Sequence, residues 1–408
     1  MVVAQALSAR GPRGGPPSAP LAIRHLILDG RDHHPTAANG VYEVARRLTR
    51  EQIHAGDEAR IVVLRDPIRR AATDAVDVPT IGVALDGTRL RGRVVRLSDD
   101  AFSALLDACP DGAFVHIHGG RDPLLPWLSR QLRRQGIPYA VTVHGRYSHM
   151  FVPEGGLRRR AGRIYLALFE RRLLEGARFV QALSSVERAI LRRIARNATI
   201  EVVPNAAFSS SLERVERPTV RAGRGSDFPV FGYCGRYAIP HKGLDLLLDA
   251  FARHCAQGRP GRLVMIGTGP DRATLAGLAE QLGLSDRVEV LGPHFGEAKA
   301  ALQRGWDFFV QPSRFDGMPI GALEAALAGL PLIATDATGL TDALDTHGAG
   351  FAVRTASVEA VAAAMGRAAD LDGPAWSAMS ERAHAMARAV GDWTTTTASL
   401  RALYGRRP

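Results

Sequence analysis

The sequence predicts an α/β protein built from two doubly wound parallel-sheet domains that face a central cleft. Three observations carry this. Short apolar runs alternate with longer segments of helical period, which is the pattern of a parallel sheet with helices on both faces. The alternation stops over 209–228 and then restarts. Hydrophobic residues make up 46% and charged residues 23% of 408 residues, enough for two sizeable cores and too apolar for a disordered chain.

In the first half, Ala22–Leu28 reads as a strand and Val41–Ala55 as a helix, with Val41, Val44, Ala45 and Leu48 at helical spacing. Arg60–Leu64, Phe114–Ile117 and Tyr139–Val143 read as strands, with a helix around Pro123–Gln135. Arg163–Gly176 is a helix, Phe179–Ala182 a strand, Ser184–Arg196 a helix with a serine N-cap, and Ile200–Val203 a strand. The stretch 209–228 holds Ser209-Ser210-Ser211, several arginines, Pro218 and Gly223-Arg224-Gly225 without an apolar period, and is expected to be a linker.

Beyond it, Val230–Cys234, Leu263–Ile266, Val288–Leu291, Phe308–Gln311 and Leu332–Thr335 read as strands. Helices lie near Gly243–His254, Arg272–Leu282, Ala298–Gln303, Ile320–Ala328 and Val358–Ala369, and the chain closes on Trp376–Ala389 and Trp393–Tyr404. The expected division is a disordered leader at 1–20, domains at 21–208 and 229–390, and a terminal helix at 391–408 packing back on the first domain. In open parallel sheets ligands bind beyond the carboxyl ends of the strands, so a cleft lined by two such sheets suits a reaction between two substrates.

Composition narrows the function. Lys plus Arg number 52 against 41 Asp plus Glu, a formal charge of +11, which favours anionic partners; compositional drift toward arginine is the plainer alternative. Aromatic residues are only 6%, and no stacking or zinc motif accompanies the charge, so nucleic acid is not an expected partner. Cys109, Cys234 and Cys255 are too few and too far apart for a zinc site or a disulfide framework, which points to a reducing, cytoplasmic setting. No apolar run reaches the roughly 18 residues of a membrane span.

Two segments carry chemistry. In FGYCGRYAIPHKG, from Phe231 to Gly243, a strand runs into Gly235 and Arg236, and Lys242-Gly243 is expected to open a helix. Gly235 permits a tight turn, Arg236 can fork onto phosphate oxygens, Lys242 adds a point charge, and the helix after Gly243 offers free amides: together a diphosphate site. A surface Arg and Lys flanking a turn is the alternative. In QPSRFDGMPIGALEAALAG, from Gln311 to Gly329, Asp316 precedes the loop Gly317, Met318, Pro319, Ile320 and Gly321, with Pro319 where a helix begins and Glu324 eight residues after Asp316. Two carboxylates beside a loop of amides suit a polyhydroxylated ligand bearing phosphate; a turn Asp and a helix-dipole Glu are the alternative.

These two segments resemble the retaining glycosyltransferases of family 4, which have the GT-B fold of two Rossmann-like domains. The resemblance runs from about Ala22 to Tyr404. That family's G-R-x(n)-K-G motif matches Gly235, Arg236, Lys242 and Gly243, and its E-x7-E motif matches Asp316 to Glu324, with aspartate for the first glutamate. The resemblance implies that Asp316 and its loop contact the transferred sugar and that Glu324 holds the nucleotide ribose; the shorter Asp bears on which sugar is taken. Asn39-Gly40 falls where the family often has Gly-Gly, so Gly40 would let the backbone approach the donor phosphate or the acceptor. His144, ending a strand in Thr142-Val143-His144-Gly145, resembles the family's histidine beside the donor sugar. His116 and His118 are expected in packing or on the acceptor side. Gly267-Thr268-Gly269 and Val290-Leu291-Gly292 resemble strand ends of the nucleotide domain, and Asn205 a structural turn.

The implied reaction moves a hexose from a nucleotide diphosphate sugar to a hydroxyl acceptor with retention. No nucleophilic carboxylate is evident, so same-face attack is expected, with the donor phosphate accepting the acceptor proton. No H-E-x-x-H or D-x-D pattern indicates a metal, and no cofactor beyond the donor is expected. Arg158-Arg159-Arg160, Arg163 and Arg171-Arg172 form a basic region that could meet acidic lipid at the inner membrane face and bring the enzyme to a lipid-linked acceptor of polysaccharide or glycolipid synthesis; a solvated helix face is the alternative. An epimerase of the same architecture, or a non-catalytic sugar-nucleotide-binding protein, stays open. A dinucleotide oxidoreductase is disfavoured, because no G-x-G-x-x-G follows the first strand.

Overall fold

The structure, a computed structural model, describes residues 19–29, 40–65, 77–147, 162, 164–208 and 229–406. The expected leader (apart from its last two residues), Asn39, the linker, Arg158–Arg160 and Arg163 lie outside the described residues. The chain forms two compact units, one ending its first stretch at Pro204 and regaining the chain from Trp393 on, the other running Asn205–Asp392.

The first unit is a seven-stranded sheet in the order β3-β2-β1-β6-β7-β8-β9, parallel throughout. Its strands are β1 (Ala22–Asp29), β2 (Glu58–Arg65), β3 (Thr80–Ala84), β6 (Phe114–His118), β7 (Tyr139–Thr142), β8 (Phe179–Ala182) and β9 (Ile200–Val202). A small antiparallel ribbon, β4 (Gly87–Leu90) with β5 (Arg93–Leu97), stands apart from it. β6, β7 and β8 are buried along their whole length, as central strands covered on both faces must be.

Helix α1 (Gly40–His54) turns Val44, Ala45, Leu48 and Gln52 inward, a stripe at i, i+1, i+4 and i+8 that is apolar until its last member. Helix α2 (Leu124–Arg134) buries Leu124, Leu125, Leu128 and Leu132, and α3 (Ser185–Ile194) is N-capped by the Ser184 side chain, which accepts from the Glu187 amide. The segment read as a single helix over 163–176 is a π-helical turn at Leu166–Glu170 followed by Arg171–Glu175. The extra residue per turn sets Glu170 inside, where its carboxylate accepts from the Tyr147 and Tyr165 hydroxyls.

The second unit is a six-stranded parallel sheet in the order β12-β11-β10-β13-β14-β15, with β10 (Val230–Arg236), β11 (Arg262–Thr268), β12 (Val288–Leu291), β13 (Phe308–Gln311), β14 (Leu332–Thr335) and β15 (Gly350–Val353). Its core joins Phe231, Tyr233, Met265, Phe308 and Ile333 to Leu247 and Phe251 of α4 (Leu244–Ala256). Helix α5 (Ile320–Leu327) follows β13, and the long α6 (Gly373–Val390) buries Trp376, whose indole donates to the Asp307 carbonyl at 2.9 Å. The final helix, α7 (Trp393–Tyr404), belongs to the first unit, where Arg401 pairs at 2.6 Å with the buried Asp57 carboxylate.

Candidate active site

In the second unit the site residues gather at the carboxyl ends of β10 and β13. Gly235 and Arg236 end β10 in register with Gly267 and Thr268 of β11. A Cβ on Gly267 would sit 1.9 Å from the Gly235 carbonyl, so the two strand ends approach only because glycine stands there. The next segment departs from expectation. Lys242 does not open a helix; it closes a helical turn, Ile239–Lys242, with its amide on the Ala238 carbonyl at 2.8 Å. Gly243 then reverses the chain in the left-handed region (φ 62°), and α4 starts behind it. A Cβ at Gly243 would lie 2.3 Å from the Pro312 carbonyl, so this glycine is demanded by conformation and by crowding alike.

That crowding brings the two motifs together. The Arg314 and Phe315 amides both donate to the His241 carbonyl, at 2.9 and 3.1 Å, and the Arg314 guanidinium forks onto Asp245 at 2.7 Å through each nitrogen. The loop before α5 is thereby fixed to the turn after β10, and Lys242 Nζ meets Asp316 Oδ2 at 2.5 Å. The same oxygen accepts from Ser313 Oγ at 3.1 Å and faces Gln311 Nε2 at 3.5 Å, while Asp316 Oδ1 accepts from the Gly317 amide at 3.0 Å. The ion pair is mostly covered, with 21% and 13% of the two side chains exposed. At the end of β10 the Arg236 guanidinium has no ion-pair or hydrogen-bond partner among the described residues; its carbonyl accepts from the Tyr233 hydroxyl and the Ala238 amide, each at 3.0 Å.

Glu324, one turn into α5, pairs with Lys299 at 2.7 Å. Cys234 lies close to this pair, and burial pushes its thiol up to about 11. The loop Gly317, Met318, Pro319 and Ile320 is buried rather than open. Its first amide is taken by Asp316, and its Met318 carbonyl accepts from the buried Asn205 side chain at 3.0 Å. Gly317 therefore does not offer the free amide expected of it. The Leu291 carbonyl is likewise occupied, by the Tyr237 hydroxyl at 2.8 Å.

In the first unit, His144 stands two residues beyond β7 with φ 51°, a left-handed conformation rare for a side-chain-bearing residue. The turn is held by Glu187, whose carboxylate accepts from the Gly145 amide at 2.6 Å and the Leu183 amide at 2.7 Å. His144 is half-buried; burial and Arg146 lower its imidazole to about 3, so it is neutral at ordinary pH. Its Nε2 lies 3.0 Å from Nδ1 of the buried His118. Gly40 is the exposed first residue of α1, with nothing within 4 Å of a Cβ built on it. Of the basic region, Arg171 pairs with Glu175 at 3.0 Å.

Among the described residues one group has the spacing to hold a metal, His25, His116 and His118. Every ring nitrogen of the three already has a hydrogen-bond partner at 2.7–3.0 Å. Sequence reasoning did not find Lys299, Arg314, Ser313 or His25. The first three act through partners far along the chain or by loop geometry; His25 had a signal, a polar residue inside an apolar strand.

Comparison with known proteins places this arrangement. Residues 39–206 match the "Glycosyl transferase 4-like domain" and residues 228–370 match "Glycosyl transferases group 1". The chain is 29% identical over 360 residues, 81% of its length and 83% of the relative, to 2-deoxystreptamine N-acetyl-D-glucosaminyltransferase of Streptomyces fradiae. It is 30% identical over 274 residues, 62% of its length and 70% of the relative, to 2-deoxystreptamine glucosyltransferase of Streptomyces kanamyceticus. D-inositol 3-phosphate glycosyltransferase of Mycobacteroides abscessus is 29% identical over 304 residues, covering 72% of this chain and 65% of that protein. Among solved structures, sucrose-phosphate synthase of Thermosynechococcus elongatus superposes with TM-score 0.73 at 22% identity over 94% of this chain and 98% of its own. HepE of Anabaena, solved with UDP-glucose, gives TM-score 0.69 at 17% identity over 94% and 98%. The fold is that of these two-domain GT-B enzymes.

Proposed function

The chain belongs to the group 1 glycosyl transferases and is a glycosyltransferase acting on nucleotide sugars, and from that premise we propose how its residues divide the work. The observation that carries the reading is the Lys242–Asp316 pair at the carboxyl ends of β10 and β13, with Arg236 ending β10 and the Glu324–Lys299 pair next along α5. Arg236 and Lys242 take the donor diphosphate. Asp316 aligns Lys242 and accepts from the transferred sugar, and Glu324 accepts from the ribose hydroxyls.

Charge builds on the departing diphosphate as the glycosidic bond breaks. Lys242, already fixed by Asp316 and by the Arg314-tied loop, stabilises that charge more than the ground state and need not reorganise. Same-face attack follows, with retention, the donor phosphate accepting the acceptor proton. On the family resemblance, His144 takes the role of a histidine that meets the donor sugar, and Gly40 that of a glycine that lets the backbone approach the donor.

The acceptor hydroxyl sits on a small polyol ring. Support comes from relatives named for 2-deoxystreptamine and D-inositol 3-phosphate, both ring polyols. A lipid-linked acceptor of cell-surface polysaccharide or glycolipid synthesis, met at the inner membrane face, is the second reading. It draws on the similarity to WaaG, described as a glycosyltransferase of lipopolysaccharide biosynthesis, with TM-score 0.66 at 16% identity over 94% of this chain. No helix among the described residues is long and apolar enough to cross a membrane.

A thermal-shift screen of nucleoside diphosphates and their sugars, followed by transfer assays with ring polyols and lipid-linked saccharides, tests the reading. A ligand at about 100 times its dissociation constant adds roughly 2.7 kcal/mol, a readable rise in Tm. NMR of the product should show the donor's anomeric configuration. Inverted product would exclude same-face attack, and acidic vesicles that fail to sediment the protein would remove the membrane reading.

A further inference from the structure

The first unit carries a buried polar network to which the roles given above assign nothing. β1 sets His25 in register opposite His116 of β6, and His118, two residues on, shares the same face. Helices α1 and α7 bring Gln52 and Tyr404 to these histidines. Burial within a sheet ordinarily selects apolar side chains, so a polar chain here needs every proton accounted for.

The protons can be assigned from two fixed ends. The Val203 carbonyl can only accept, so the Gln181 amide nitrogen donates to it, at 2.8 Å. Gln181 Oε1 is then turned to Thr142, whose hydroxyl donates at 2.7 Å. Having given its one proton, Thr142 Oγ1 accepts from His116 Nε2 at 2.7 Å, which leaves His116 Nδ1 bare to accept from the Tyr404 hydroxyl at 2.7 Å. No hydrogen bond joins Tyr404 to Gln52, whose buried amide nitrogen has no partner among the described residues, so this run ends at Tyr404. A second run starts at Gln52 Oε1, which can only accept and faces His25 Nε2 at 2.8 Å. His25 Nδ1, left bare, accepts from His118 Nε2 at 2.8 Å, and His118 Nδ1 accepts from His144 Nε2 at 3.0 Å.

We propose that this run of one-way hydrogen bonds, set by the Gln52 amide oxygen and transmitted through His25 and His118, locks His144 as the Nε2–H tautomer, so that its Nδ1 presents a lone pair and accepts from a substrate hydroxyl. Gln52 is a positioning residue for His144, which lies two side chains further on, beyond His25 and His118. Neutral rings are a precondition. Burial lowers His25 to about 4 and holds His116 and His118 well below the usual range, so none carries a second proton near neutrality. The tautomer follows from geometry alone; its use on a sugar hydroxyl rests on the placement of His144 at the donor site.

Long-range proton–nitrogen NMR of the full chain labelled with 15N-histidine, without donor, reads the tautomers directly. The expected spectrum at neutral pH has pyrrole-type Nε2 and pyridine-type Nδ1 in His25, His118 and His144. A protonated Nδ1 in His144 overturns the proposal. Gln52→Met, which removes the fixed acceptor, should move the His144 nitrogen shifts toward a mixture of tautomers. Unchanged His144 shifts in the folded variant would overturn the control assigned to Gln52, and the wild-type spectrum decides the tautomer by itself if the variant does not fold. Separately, the expected tautomer combined with unaltered donor kinetics in His144→Gln would leave the chain standing and refute the placement of His144 at the donor site.

Discussion

The two sheets place equivalent strands side by side, β1 with β6 and β10 with β13, each pair third and fourth from the sheet edge. At that junction the first unit sets His25 opposite His116, and the second sets Phe231 opposite Phe308, with ring centroids 5.9 Å apart. One architecture thus tolerates a hydrogen-bonded polar core in one half and an aromatic core in the other. The difference is where each unit keeps its charge-bearing chemistry: inside the sheet as neutral, directional imidazoles, or at the strand ends as the ion pairs Lys242–Asp316 and Lys299–Glu324. Packing alone supports the aromatic junction. The histidine junction holds only while its protonation state is right.

Acid should separate the two units most sharply. The His25 ring is lowered from 6.5 to about 4, and His116 and His118 are also held low. Between those values the unfolded chain binds more protons than the folded one, so stability rises with pH and is lost as pH falls from about 6.5 toward 4. His25 alone accounts for about 3 kcal/mol over that interval. Melting curves of the full chain should show a falling transition for the first unit; a flat profile down to pH 4 would contradict the neutral histidine core.

Next in size is the backbone of the second unit. Gly243→Ala forces φ 62° on alanine and drives its Cβ toward the Pro312 carbonyl, so a loss of about 2 kcal/mol is expected by chemical denaturation. Wild-type stability would mean the Lys242 turn is not held as described. Lys242→Ala and Glu324→Ala should each lower kcat/KM by at least about tenfold, or roughly 1.4 kcal/mol of transition-state stabilisation. Full turnover in both purified variants removes the ion pairs from catalysis. The smallest change in stability belongs to Gly40→Ala, within about 0.5 kcal/mol, because the site is sterically open. A raised donor KM at unchanged Tm is expected, and an unchanged KM takes Gly40 out of the donor site.

The sequence was most legible where burial is two-sided. Phe179–Ala182, Phe308–Gln311 and Leu332–Thr335 match their expected bounds, because a central parallel strand is a short apolar run with clear stops. The edge strands Val288–Leu291 and Ile200–Val202 were also legible, but other edge elements escaped. β3 contains Gly82 and is partly exposed, the β4–β5 ribbon is largely exposed, and β15 starts at Gly350, whose Cβ would strike the Leu332 carbonyl. Helix Asp99–Asp107 was legible in principle, since Ser98 caps it through the Ala101 amide at 3.3 Å. In the site, local motifs gave Arg236, Lys242, Asp316 and Glu324. Arg314–Asp245 and Lys299–Glu324 were hidden because such pairs exist only once distant segments are folded together, 69 and 25 residues apart.

Equilibrium titration of a nucleoside diphosphate into the wild-type chain, Arg236→Ala and Lys242→Ala tests the central claim most directly. The cationic grip described here predicts one site in the wild type and a dissociation constant at least tenfold weaker in each variant, a loss of about 1.4 kcal/mol. Equal affinity in all three proteins would contradict it.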